Sequence, residues 1–142
     1  MKTINQYIIE KFKLNANNIT KGLSDKEIDA LIEKYKGKNI NGSLYLDLYT
    51  QSPSETSKHL YKMQEYQKKG SKPERLVSSI KNKTKLIGRW NAAMDMGWED
   101  AANVFKQAII DRGYYTEEDL NQYIIKRMSS NEKNREHYKV YL

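Results

Sequence analysis

The chain has 142 residues, 38% apolar and 30% charged, with 25 basic against 18 acidic side chains and a net charge of +7. That length suits one domain able to bury about two-thirds of its unfolded surface. The absence of cysteine excludes disulfides, thiolate nucleophiles and sulfur-ligated metals, and no run approaches the ~18 apolar residues of a membrane span.

Eleven tyrosines against two phenylalanines predict a thin core with a tyrosine-rich boundary, because tyrosine fills a core edge while its hydroxyl stays wet. At the start, Thr3 and Gln6 have capping-box spacing and Ile4, Ile8 and Phe12 recur at i+4 beside Tyr7. This predicts a short amphipathic helix ending in the polar stretch 15–18. Ser24 and Glu27 form a second box, followed by Ile28, Leu31, Ile32 and Tyr35 and closed by Gly37.

From 39 to 50 the period changes to two. Leu44, Leu46 and Leu48 alternate with Tyr45, Asp47 and Tyr49 after the turn-forming Asn41 and Gly42, which predicts a strand. A tyrosine-rich helical turn is the competing reading. A weaker alternation, Tyr138, Val140 and Leu142, stands at the C-terminus.

Ser52, Pro53 and Glu55 open a helix that runs to about Lys69 and stops at Gly70. Ser71, Lys72, Pro73 and Glu74 open another with Leu76, Val77 and Ile80 inward. It breaks or bends at 82–84 before Leu86, Ile87, Trp90 and Met94. After Gly97, the residues Trp98, Ala101, Ala102, Phe105, Ala108 and Ile109 make the best helical stripe, ending at Gly113. Thr116 caps a last helix with Leu120, Tyr123, Ile124 and Met128. The expected fold is mainly α: a compact bundle of about six to seven short helices with at most a minor β-ribbon near 40–50. Residues 1–128 form a single helical domain, and 129–142 a polar C-terminal tail that could dock on a neighbouring chain. The pentapeptide Asn5, Gln6, Tyr7, Ile8, Ile9 recurs as Asn121, Gln122, Tyr123, Ile124, Ile125, which reads as two similar amphipathic helices and not as a repeat array.

The charge is concentrated. Residues 58–89 hold Lys58, Lys62, Lys68, Lys69, Lys72, Arg75, Lys81, Lys83, Lys85 and Arg89 against Glu65 and Glu74, a local +8 that leaves the rest of the chain near −1. Such a field has a direction and steers an acidic partner or a phosphate backbone. Tyr61, Tyr66 and Trp90 lie within reach in sequence for stacking, and Lys81, Lys85 and, less closely, Arg89 share a side at i+4 spacing. Eight of the ten cations are lysine, which suits phosphate contact better than base readout, where arginine dominates. The competing reading is a solvated face.

Trp90, Met94, Met96 and Trp98 crowd around Gly97. They read as a packed helix–turn–helix corner, with an exposed interface anchor as the alternative. The exposed positions expected on the following helix, Glu99, Asp100, Asn103, Lys106, Gln107 and Asp111, are too acidic for a helix entering a DNA groove. His59 and His137 lie far apart in sequence, with solvation the expected state of both. No metal-hydrolase spacing, phosphate loop or nucleophile elbow is present. Asp95 and Glu99 are the carboxylate pair that a small hydrolase would need.

The opening fifteen residues, from Met1 through Thr3, Gln6, Glu10 and Phe12 to Asn15, resemble the starts of many small proteins of crAss-like and related tailed bacteriophages. The resemblance implies a phage-encoded protein carried in the host cytoplasm or the virion, and no particular activity. Lys2, Glu10, Lys11 and Lys13 interrupt the N-terminal apolar pattern, so secretion by a signal peptide is not expected.

The function expected is therefore non-enzymatic macromolecular binding through the basic surface, as a virion or connector component or an inhibitor of a host protein. The expected partner is an acidic protein surface or another copy of the chain, with no cofactor, metal or membrane. Sequence-tolerant binding of DNA or RNA is the alternative.

Overall fold

The computed structural model describes residues 23–142. The helix expected over the first fifteen residues, the segment carrying the phage resemblance and the first copy of the repeated pentapeptide lie outside them. Eight α-helices follow one another through the described residues, with no strand among them. They are α1 (Asp25–Tyr35), α2 (Gly42–Tyr49), α3 (Pro53–Lys68), α4 (Pro73–Ser79), α5 (Lys83–Asp95), α6 (Glu99–Asp111), α7 (Glu117–Met128) and α8 (Glu132–Tyr138), with a closing 3₁₀ turn at Lys139–Tyr141.

The helix starts are decided locally. Ser24 Oγ accepts the Glu27 N–H while Glu27 Oε1 accepts the Ser24 N–H, at 3.1 and 2.8 Å. Ser52 and Glu55 repeat the exchange ahead of Pro53, and Thr116 and Asp119 do so ahead of α7. Each pair satisfies two backbone donors that the helix leaves open. The stop after α5 is a Schellman turn. Trp98 N–H reaches the Ala93 carbonyl and Gly97 N–H the Met94 carbonyl, with Gly97 at φ 77°, a left-handed conformation that a β-carbon disfavours.

The strand expected near 40–50 is a helix instead. Asn41 Oδ1 accepts the N–H groups of Ser43 and Leu44 at 2.9 and 3.2 Å and so caps α2. Leu44 is fully buried, but Leu46, placed beside it by a two-residue period, is 56% exposed. Three leucines in eight residues cannot distinguish the two periods; the cap decides. The helix breaks at 80–82, just ahead of the expected 82–84: α4 ends at Ser79, and Asn82 Oδ1 caps α5 by accepting the Lys85 N–H.

The chain divides into two compact units. One combines α1 with residues from Ile125 to Val140 and with Leu142. There the polar segment beyond 129 forms α8, capped by Asn131, and is not an irregular tail. Arg135 meets Asp29 at 2.8 Å, while Arg127 lies over the Tyr138 ring at 4.6 Å. The C-terminal alternation is helical too, with Tyr138 and Tyr141 both buried at i, i+3 spacing.

The other unit runs from Gly37 to Ile124 and includes Tyr141. Its central element is α5, which packs against α2, α3 and α6, while α4 packs on α6. Leu44, Met63, Leu86, Ile87, Trp90, Met94, Phe105 and Ile109 are fully buried. Each large apolar side chain so buried contributes roughly 1.5–3 kcal/mol. Tyr123 is also in this core and donates its hydroxyl to Asn91 Oδ1 at 2.8 Å. Tyrosine therefore builds the core itself, not only its boundary.

Candidate functional site

The cations of 58–89 divide by environment. Lys62 and Lys69 both reach Glu65, at 4.0 and 3.7 Å. Lys83 pairs with Asp47 at 3.5 Å, donates to Ser43 Oγ at 3.3 Å and lies over the Tyr115 ring. Tyr115 donates to the same Asp47 carboxylate at 2.5 Å, and Thr84 donates to its other oxygen at 3.1 Å. The Tyr115 hydrogen bond and the Asp47 charge hold the Lys83 ammonium above the usual lysine range. Burial first, and then the bond to Asp47, pushes the Tyr115 phenol up. Lys83 thus ties α2 to α5 and is a firm cation, unsuited to act as a base.

Lys58, Lys68, Lys72, Arg75, Lys81 and Lys85 are exposed, and no carboxylate among the described residues lies within ion-pair distance of them. Lys81 precedes α5 and lies outside any helix, so the expected i+4 row with Lys85 is not built. Tyr61, 61% exposed on α3, offers a flat contact surface, and Tyr66 is half-buried. Trp90 is 0% exposed and packs on Tyr123, with ring centroids 5.7 Å apart. Its burial removes it as a stacking platform; in the corner Trp90 and Met94 are core, while Met96 and Trp98 are half-buried.

Arg89 also departs from the expected face. It is 4% exposed and turns towards α3, donating Nε–H to His59 Nδ1 at 2.9 Å. His59 Nδ1 is then the acceptor and Nε2 carries the proton, which it gives to Gln51 Oε1 at 2.8 Å. Burial lowers the His59 pKa to about 4, aided by the charges of Arg89, Lys85 and Lys58 and opposed by Glu55. The imidazole is neutral at physiological pH and half-buried, not solvated as expected. His137 is exposed, with its ring against Tyr138.

Beside this chain of bonds is a cavity of about 250 Å³ lined by Gln51, Glu55, Lys58, His59, Asn82, Thr84, Lys85 and Arg89. Of the ten expected cations, the structure brings three together here: Lys58, Lys85 and Arg89. Lys72 and Arg75 border a separate hollow of about 370 Å³ with Gly70, Ser71 and Leu76. Gln51, Glu55, His59, Asn82 and Thr84 are the members that sequence reasoning missed. Their partners lie eight and thirty residues away for His59, beyond any local pattern.

Asp95 is half-buried on a cavity of about 30 Å³, and Glu99 is exposed in the first turn of α6. Both charges act on Tyr141, whose phenol burial pushes up to about 12. On α6, Lys106 is buried instead of exposed; it donates to Asn121 Oδ1 and the Tyr141 carbonyl at 2.7 and 2.9 Å. The outer face of α6 is thus more acidic than its sequence suggests, which weakens the groove-reading alternative further. No group of three His, Cys, Asp or Glu among the described residues could hold a metal, and no helix among them is long and apolar enough to cross a membrane. No protein-family model matches the chain, and no curated protein or solved structure matches it either.

Proposed function

We propose that this chain is a small non-enzymatic protein of phage type that acts by binding an acidic macromolecular partner. Its role would be that of a virion or connector component, or an inhibitor of a host protein. One observation carries the reading: six exposed cations have no carboxylate partner among the described residues, and two of them, Lys58 and Lys85, line a pocket with a seventh, Arg89, that also has no carboxylate partner there. Like charges held together oppose folding and raise the local concentration of anions. A partner that supplies the missing negative charge converts that cost into affinity.

The reading is tested by fluorescence anisotropy with labelled polyglutamate and with duplex and single-stranded DNA, at about 50 and 200 mM salt. Polyglutamate should bind, and the Lys58→Glu, Lys81→Glu, Lys85→Glu variant should lose that binding with its helical circular dichroism unchanged. DNA binding that falls with a slope of about −4 to −5 in log K against log salt would establish the nucleic-acid alternative. For that alternative Tyr61 is the exposed aromatic left on α3 to stack a base. No binding of any polyanion at the lower salt removes the basic surface from the account.

A further inference from the structure

Arg89 carries a buried charge that the described residues do not neutralise. Its bond partner, His59 Nδ1, is uncharged, and no carboxylate among the described residues lies within ion-pair distance of it. Its terminal amino groups have no acceptor among those residues and face the cavity between α3 and α5. That one neutral acceptor leaves the terminal donors of the guanidinium unmet by the described residues. Solvent that enters the cavity covers these amino groups in the free protein, and an anion entering it would take that solvent's place.

The lining specifies what that is. Lys58, Lys85 and Arg89 against Glu55, with His59 neutral, give the walls a net charge of +2. The start of α5 borders the cavity through Asn82, Thr84 and Lys85; Asn82 Oδ1 takes the Lys85 N–H, which leaves the N–H groups of Lys83 and Thr84 without an intrahelical acceptor. A phosphate monoester carries about −1.5 to −2 at neutral pH, which a lone carboxylate does not match. A guanidinium fork also fits two phosphate oxygens at once. At about 250 Å³ the cavity is below the ~300–1,000 Å³ that encloses a drug-sized ligand, so it suits a terminal group and not a whole nucleotide.

We propose that this cavity is a phosphate-ester site, in which the Arg89 terminal amino groups and the Lys58 and Lys85 ammonium groups hold one dianionic phosphoryl group. The site rests on the reading of the basic surface as a binding face and names the chemistry recognised there. The ester is supplied either by the 5′ end of a nucleic-acid strand or by a small phosphorylated molecule.

The test is a ¹H–¹⁵N titration of the full chain with methyl phosphate, sodium chloride holding the ionic strength constant. Saturable shifts are expected at Arg89 Nε–H and at the amides of Lys83 and Thr84. Because Arg89 also supports the fold, the informative variant is the exposed pair Lys58→Met, Lys85→Met. It should keep the remaining spectrum and weaken binding about tenfold or more for each lost charge-assisted contact. Shifts that grow linearly, that acetate reproduces, or that persist unchanged in the double variant overturn the site. Single-stranded oligonucleotides with and without a 5′-phosphate distinguish the sources. Tighter binding of the phosphorylated form assigns strand ends, and equal binding alongside saturation by methyl phosphate assigns a small ester. Polyanion binding without methyl phosphate saturation overturns the site and keeps the broader reading; saturation without polyanion binding does the reverse.

Discussion

Gly88 lies directly beneath the His59 imidazole: a β-carbon at this position would come within 2.3 Å of His59 Nε2 and 2.6 Å of Cδ2. Glycine in the middle of a helix ordinarily costs about 1 kcal/mol relative to alanine. Here it allows α5 to approach α3 closely enough for Arg89 Nε to reach His59 Nδ1 at 2.9 Å. The relationship positions the pocket, because His59, Gln51 and Arg89 all line it.

Gly88→Ala should therefore destabilise the protein, opposite in sign to the usual helix substitution. Displacing the imidazole breaks its bonds to both Gln51 and Arg89, and overpacking of this kind costs about 1–3 kcal/mol. Urea denaturation checks the sign; a stabilised variant would show that His59 moves aside freely.

Stability should fall as pH is lowered from about 6.5 to about 4. In that window the unfolded His59 takes up a proton and the folded one, with its pKa lowered to about 4, does not. The stability from keeping it neutral is therefore present above 6.5 and gone below 4. The groups facing it are Arg89 and Lys85 from α5 and Glu55 and Lys58 on its own helix. The side chain is half-buried, so solvent screening reduces the expected loss to roughly 1–2 kcal/mol. His59→Gln, which keeps an acceptor for Arg89, should remove this part of the pH slope in thermal melts.

Arg112 places Nη1 2.7 Å from the Ile80 carbonyl and Nη2 2.8 Å from the Val77 carbonyl. This fork gives the Ile80 carbonyl a donor and adds a second to the Val77 carbonyl, which already accepts the Ile80 N–H at 3.1 Å. Arg112→Ala should cost about 1.5–3 kcal/mol, and Arg112→Lys should recover less than half, because one ammonium does not span both carbonyls. Equal stability of the lysine variant and the wild type in urea would argue against the fork.

Reversing neighbouring charges should have unequal effects. Lys83→Glu sets a carboxylate against Asp47 and should destabilise by about 1–3 kcal/mol. Lys81→Glu, exposed and without an ion-pair partner among the described residues, should stay within about 0.5 kcal/mol of wild type. Calorimetry of the two single variants separates them, and it is why Lys83 has no place in a binding test.

The sequence by itself determined where most of the described helices begin and end, α2 and α8 excepted, and where the charge collects. Ser24 with Glu27, Ser52 with Pro53 and Glu55, and Gly97 act within four residues, because a helix end needs acceptors or a left-handed residue on the spot. The second pentapeptide shows the boundary of that legibility. Its apolar members were readable as a buried face, but the role of Asn121 as acceptor for Lys106 was not. Only the tertiary structure decided that Leu46 faces out, that Trp90 is core, that Lys106 and Arg89 turn inward, and that Lys83 belongs to Asp47. These outcomes depend on which surfaces meet across long separations: thirty residues from His59 to Arg89 and sixty-eight from Asp47 to Tyr115. Periodicity places a side chain on a face of its own helix, whereas burial and pairing are properties of whatever that face packs against.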